Sequence, residues 1–65
     1  MKILKLGKSK SNYKIRLVAQ FDSRFFGYRV EAYSISDSGW FNLKTFNEPL
    51  GIQEALILFD KSLNS

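Results

Sequence analysis

The 65-residue sequence contains no cysteine and no histidine. Without them it has no disulfide, no thiol nucleophile, no imidazole base and no soft-metal ligand set. Glycine occurs four times, at positions 7, 27, 39 and 51, each time isolated, so no glycine-rich phosphate loop is present. Long apolar runs are also missing. Nothing approaches the roughly 20 residues of a membrane span. Residues 1–6 alternate lysine with aliphatics and lack the continuous apolar core of a leader. A chain without cysteine fits a reducing compartment, and the expectation is a cytoplasmic protein with no membrane attachment.

What is present is apolar and basic. At 45% hydrophobic and 15% aromatic residues the chain is too apolar for a disordered tail. Its length suits one small globular domain over residues 1–65. Ordering such a chain costs roughly 1.5 kcal/mol per residue, which leaves a core of this size little surplus. Ten lysines and arginines stand against six acids, a formal charge of +4. The imbalance is local: residues 1–30 hold eight basic residues and one acid, residues 31–65 two basic residues and five acids. Such asymmetry marks an electropositive face, whose commonest partners are polyanions. Lysines on strands also guard sheet edges against aggregation, and that plainer use accounts for part of the pattern.

Residues 2–6 are short and β-like and run into Gly7, and residues 8–12 form a charged loop without an apolar side chain. Residues 13–21 alternate cleanly. Tyr13, Ile15, Leu17, Ala19 and Phe21 fall on one side, Lys14, Arg16, Val18 and Gln20 on the other. After a turn at Asp22, Ser23 and Arg24, residues 25–35 supply Tyr28, Val30, Tyr33 and Ile35, all favourable in strands, with Gly27 placed to seat a bulge. Asp37, Ser38 and Gly39 suit a hairpin turn. Residues 40–46 form a further strand with Phe41 and Leu43 inward.

Beyond Asn47 the period changes to that of a helix. Pro49 fits a first helical turn, and Asn47 or Glu48 can cap it. Ile52, Ala55, Leu56, Phe59 and Leu63 form one apolar stripe, with Gln53, Glu54, Ile57 and Lys61 opposite and Leu58 on the flank. The order ββββα predicts a two-layer α+β domain: an antiparallel sheet of three to four strands with one C-terminal helix packed across one face.

Catalysis has little support. The serines fall mostly in turns and termini, the six carboxylates are scattered, and Asp37 and Glu48 suit turn and cap roles. So small a chain also encloses little pocket volume. The expectation is a protein that is not an enzyme and carries no metal or cofactor. The uncovered sheet face is more informative. Strand alternation places Lys5, Lys14, Arg16, Trp40, Asn42 and Lys44 on it; residues 25–35 carry aromatics on both faces, and Val30 and Tyr28 turned inward add Arg29, Glu31 and Tyr33. Lysine and arginine neutralise phosphates, flat side chains stack on bases, and Arg, Lys and Asn read base edges. A partly buried Trp40 that covers the core edge is the structural alternative. Lys8 and Lys10 could grip phosphate from the charged loop or stay solvated. Ile57 and Leu58, apolar off the core stripe, are candidates for a two-fold helix-to-helix contact in a homodimer, although single exposed aliphatics are common.

Leu43-Lys44-Thr45-Phe46, followed by Glu54-Ala55 and then Phe59-Asp60, resembles the signature of AP2-type DNA-binding domains and of the arm-binding domains of some integrases. In those families a third strand ending Leu-Gly-Thr-Phe leads into a helix carrying Glu-Ala and, a few residues later, Tyr-Asp. Here Lys44 replaces the glycine, the connection through residues 47–51 is about three residues longer, and an extra N-terminal strand is present. The resemblance implies DNA contact through Arg16, Arg29, Trp40 and Lys44.

Two functions follow as expectations. The first is a small nucleic-acid-binding module, with DNA favoured over RNA, using the basic, aromatic-bearing face. The alternative is a small modulator of the kind encoded by phages and mobile elements, whose basic face meets an acidic surface of a host protein and anchors on Trp40, Phe25 or Phe26.

Overall fold

The computed structural model describes residues 1–47 and 51–64. Four strands, β1 (Lys2–Lys8), β2 (Lys14–Phe21), β3 (Phe26–Ser34) and β4 (Gly39–Asn47), form one antiparallel sheet in the order β1-β2-β3-β4. Helix α1 (Gly51–Leu63) follows and packs on β2, β3 and β4. This is the ββββα arrangement that strand alternation and the helical stripe predict. Glu48, Pro49 and Leu50, where the cap and first turn were expected, lie outside the described residues; Asn47 ends β4.

Residues directly opposite each other in an antiparallel pair share a face, so the register sorts the side chains. Ile15 pairs with Ala32, Leu17 with Val30 and Ala19 with Tyr28, all on the helix side. Arg16 pairs with Glu31 and Val18 with Arg29 on the other side. Leu17 and Val30 are fully buried, and they form the core with Ile15, Ala32, Phe46, Ala55 and Phe59. Burying a side chain such as Leu17 or Phe59 contributes roughly 1.5–3 kcal/mol. The helix presents small residues at its closest approach: Gly51, Ala55 and Ser62 are buried beside Phe59, while Ile52, Leu56, Leu58 and Leu63 pack at the flanks.

Two β-bulges alter the expected phase. In β1 the register steps from Ile3↔Val18 to Lys5↔Leu17, leaving Leu4 as the extra residue. In β4 it steps from Asn42↔Glu31 to Lys44↔Val30, leaving Leu43 extra. An extra residue reverses the facing of everything beyond it. Neither bulge is at Gly27, which pairs with Gln20 and Asn47 without interruption. β1 also continues through Gly7, whose missing side chain admits Leu63 of the helix.

The turns are held by local side-chain bonds. Ser9 accepts from Tyr13 N–H through its Oγ at 3.1 Å, and Asn12 takes a positive φ of 69°. Asp22 Oδ1 accepts from the backbone N–H groups of Arg24 (2.9 Å) and Phe25 (3.1 Å), while Oδ2 accepts from the Gln20 amide at 2.8 Å. The Gln20 amide and then the Arg24 N–H hold the Asp22 carboxyl below its ordinary pKa. Between β3 and β4 the positive φ falls on Ser38, at 53°.

Gly27 has a φ of 155°, and a Cβ there would collide with the Phe46 backbone carbonyl. Gly27→Ala is expected to lower stability by about 2 kcal/mol or more. Gly7→Ala should cost less, because its added carbon meets only the movable end of Leu63, at 2.7 Å. Denaturant midpoints of the two variants check this, and equal losses would contradict the β3–β4 register.

Candidate nucleic-acid interface

The sheet face turned away from the helix carries Ile3, Leu6 and Lys8 from β1, and Lys14, Arg16, Val18 and Gln20 from β2. From β3 and β4 it takes Arg29, Glu31, Tyr33, Trp40, Asn42 and Thr45. Among the described residues no helix covers it, yet Val18 at its centre is only 1% exposed. The cover is made of long side chains lying flat, whose stems shield apolar surface while their heads stay polar.

Those side chains form a continuous ribbon. Trp40 reaches back over β3, and the Arg16 guanidinium stacks on its ring at 4.1 Å from the centroid. Arg16 Nε donates to Glu31 Oε1 at 2.7 Å, with only 14% and 11% of the two side chains exposed. Arg29 Nε lies 3.4 Å from Glu31 Oε2 without a hydrogen bond of good geometry. Its Nη2 donates to Gln20 Oε1 at 3.0 Å and contacts Met1 Sδ at 3.4 Å, and its guanidinium lies 5.0 Å from the Phe25 ring centroid. Tyr33 meets Trp40 edge-on at 5.3 Å, and Lys14 Nζ lies 5.8 Å from the Tyr33 ring. Each stacked cation–ring pair contributes on the order of 0.5–2 kcal/mol. Asn42 Nδ2 donates to Thr45 Oγ1 at 2.7 Å.

Of the nine residues assigned to this face from sequence, Lys14, Arg16, Arg29, Glu31, Tyr33, Trp40 and Asn42 are on it. Lys5 and Lys44 are not. The bulge at Leu4 turns Lys5 to the helix side, where Nζ lies 5.8 Å from the Phe59 ring. The bulge at Leu43 turns Lys44 inward, with Nζ 5.4 Å from the Phe46 ring. Thr45 takes the outward position instead. Trp40 is half-buried. Of the two residues assigned to a dimer contact, Ile57 is 58% exposed, whereas Leu58 is half-buried against the core.

Lys8 belongs to the face and sits directly opposite Lys14. Like charges opposite one another on neighbouring strands destabilise the pair. Lys10 lies in the adjoining turn, and residues 1–21 contain no acid at all. This corner therefore combines concentrated positive charge with the rings of Tyr33 and Trp40.

On the helix side, α1 leaves a second feature uncovered. Tyr13, Ile35, Phe41 and Leu43, all exposed, line a hollow of about 780 Å³, with Ser9, Ser11, Ser34, Ser36 and Ser62 also bordering it. Among the described residues no cluster of His, Cys, Asp or Glu could hold a metal ion, and no helix is long and apolar enough to cross a membrane. Comparisons of the chain with family models, curated proteins and solved structures find no match.

Glu31→Gln keeps the shape of the ribbon and removes its only anion. Two half-buried guanidinium groups then lack a counter-charge, an expected loss of about 1–3 kcal/mol. Urea denaturation followed by Trp40 fluorescence measures it; wild-type stability in the variant would contradict the ribbon.

Proposed function

We propose that the protein is a small non-enzymatic module that binds nucleic acid, DNA in preference to RNA, through the sheet face opposite its helix. One observation carries this reading. Lys8 and Lys14 stand opposite each other beside Lys10, in a stretch of sequence without acids and at the end of the sheet that carries Tyr33 and Trp40. A phosphate backbone relieves that repulsion, and the exposed edges of the two rings offer surface for bases or sugars. Arg16 and Arg29 share one carboxylate, so the ribbon keeps an excess of positive charge while it holds Trp40 in place. Asn42 adds a side-chain amide on the same face. The three-strand-plus-helix order shared with AP2-type and integrase arm-binding domains agrees with this use of a sheet, although Lys44, inward here, has no part in it.

A second reading, a modulator that binds another protein, is favoured by the uncovered hollow at Tyr13, Ile35, Phe41 and Leu43. Exposed apolar patches of this kind mark interaction sites. Placed on this hollow, the second reading uses the helix side of the sheet and not Trp40, which makes the two separable.

Titration of short single- and double-stranded DNA against the fluorescence of Trp40, the only tryptophan, decides between them. Binding at micromolar or tighter affinity is expected, weakening steeply with salt. The Lys8→Glu/Lys14→Glu double variant should bind at least roughly tenfold more weakly and lower the salt slope by about 2. Undiminished affinity in that variant, or no response in the wild type, would overturn the nucleic-acid reading.

A further inference from the structure

Helix α1 carries a second stripe, beside the one that packs on the core and sharing Leu58 with it. Ile57 and Leu58 are adjacent, and each stands three or four residues from Glu54 and from Lys61, which aligns the four on one side of the helix. All four line a single shallow hollow of about 260 Å³ together with Lys44 and Phe46 of β4. Ile57 is among the more exposed large apolar residues of the chain, while Leu58 reaches partly into the core. The centre of the stripe is therefore apolar. Its two ends carry opposite charges, Glu54 in the first helical turn and Lys61 in the last.

We infer that this stripe is a homodimer interface in which two copies of α1 pack antiparallel about a two-fold axis. The argument is one of self-complementarity. A two-fold contact sets a surface against itself, so whatever lies on one side of the axis must suit what lies on the other. The midpoint of the stripe falls between Ile57 and Leu58. An antiparallel pair centred there sets Glu54 of each copy against Lys61 of the other, and Ile57 against Leu58. Two ion pairs then flank a closed apolar centre, and the helix dipoles oppose one another favourably. A parallel pair would instead oppose like charges at both ends. A second copy is thus an occupant that Glu54 and Lys61 of this surface match, with Lys44 at its β4 margin. The interface lies on the helix side of the sheet, so the inference stands apart from the nucleic-acid reading, and a dimer would present two basic faces at once.

Sedimentation equilibrium over a concentration series tests it, without any nucleic acid present. The wild type is expected to associate to a dimer at micromolar to high micromolar concentration. Glu54→Lys and Lys61→Glu, both at exposed positions, should each retain the wild-type circular dichroism spectrum. Each should self-associate roughly tenfold more weakly or worse, because two ion pairs become two like-charge pairs. Mixed in equal amounts, the two variants regain complementary partners and should form a one-to-one dimer. A wild type that stays monomeric to about 1 mM, variants that dimerise as the wild type does, or a mixture that fails to pair would each overturn the proposal.

Discussion

A sheet of four strands has two faces, and the described residues of this chain form one helix with which to cover them. Everything else in the structure follows from that shortage. On one side α1 lays Gly51, Ala55, Phe59 and Ser62 against the core. On the other side no element is left among the described residues, and Val18 is sealed by the strands' own long side chains. Arginine suits this task, because its stem covers apolar surface and its planar head stacks on a ring. Two guanidinium groups so deprived of water need a counter-charge. Glu31 supplies it at 2.7 Å from Arg16, and the indole of Trp40 closes over the pair.

This solution divides the positive charge of the chain into two classes. Arg16 and Arg29 are structural cations, neutralised in part and stacked on Trp40 and Phe25. Lys8, Lys10 and Lys14 gather at the β1–β2 end, in a stretch without any acid. The structural cations fix the position of the rings, and the lysines stand beside them. In the proposed function a polyanion would meet both at once. The helix side works differently, with an uncovered apolar hollow beside Phe41 and Leu43 and a charge-matched stripe on α1.

Much of the fold is legible in the residues. The alternation from Ile15 to Ala19 sorts the two faces of β2, and the stripe through Ala55 and Phe59 gives the helix and its buried side. Lys5 and Lys44 were misplaced for a shared physical reason. The bulges at Leu4 and Leu43 occupy ordinary aliphatic positions, with no glycine or other special residue to mark them, and one extra residue inverts every later facing. Gly27, the residue whose type suggested a bulge, instead makes room for the Phe46 carbonyl. The Arg16–Glu31 pair was equally hidden. Neither residue stands out alone, and only the β2–β3 register brings them face to face. The covering role of Trp40 depends on that pair in turn.

The most direct test of this account is a residue-resolved map of amide chemical shifts as a short DNA duplex is titrated into the protein. The account expects the changes at Lys8, Lys14, Arg16, Tyr33, Trp40 and Asn42, with Ala55, Phe59 and the Phe41–Leu43 hollow unmoved. Changes centred on the helix side, or none on either face, would contradict it.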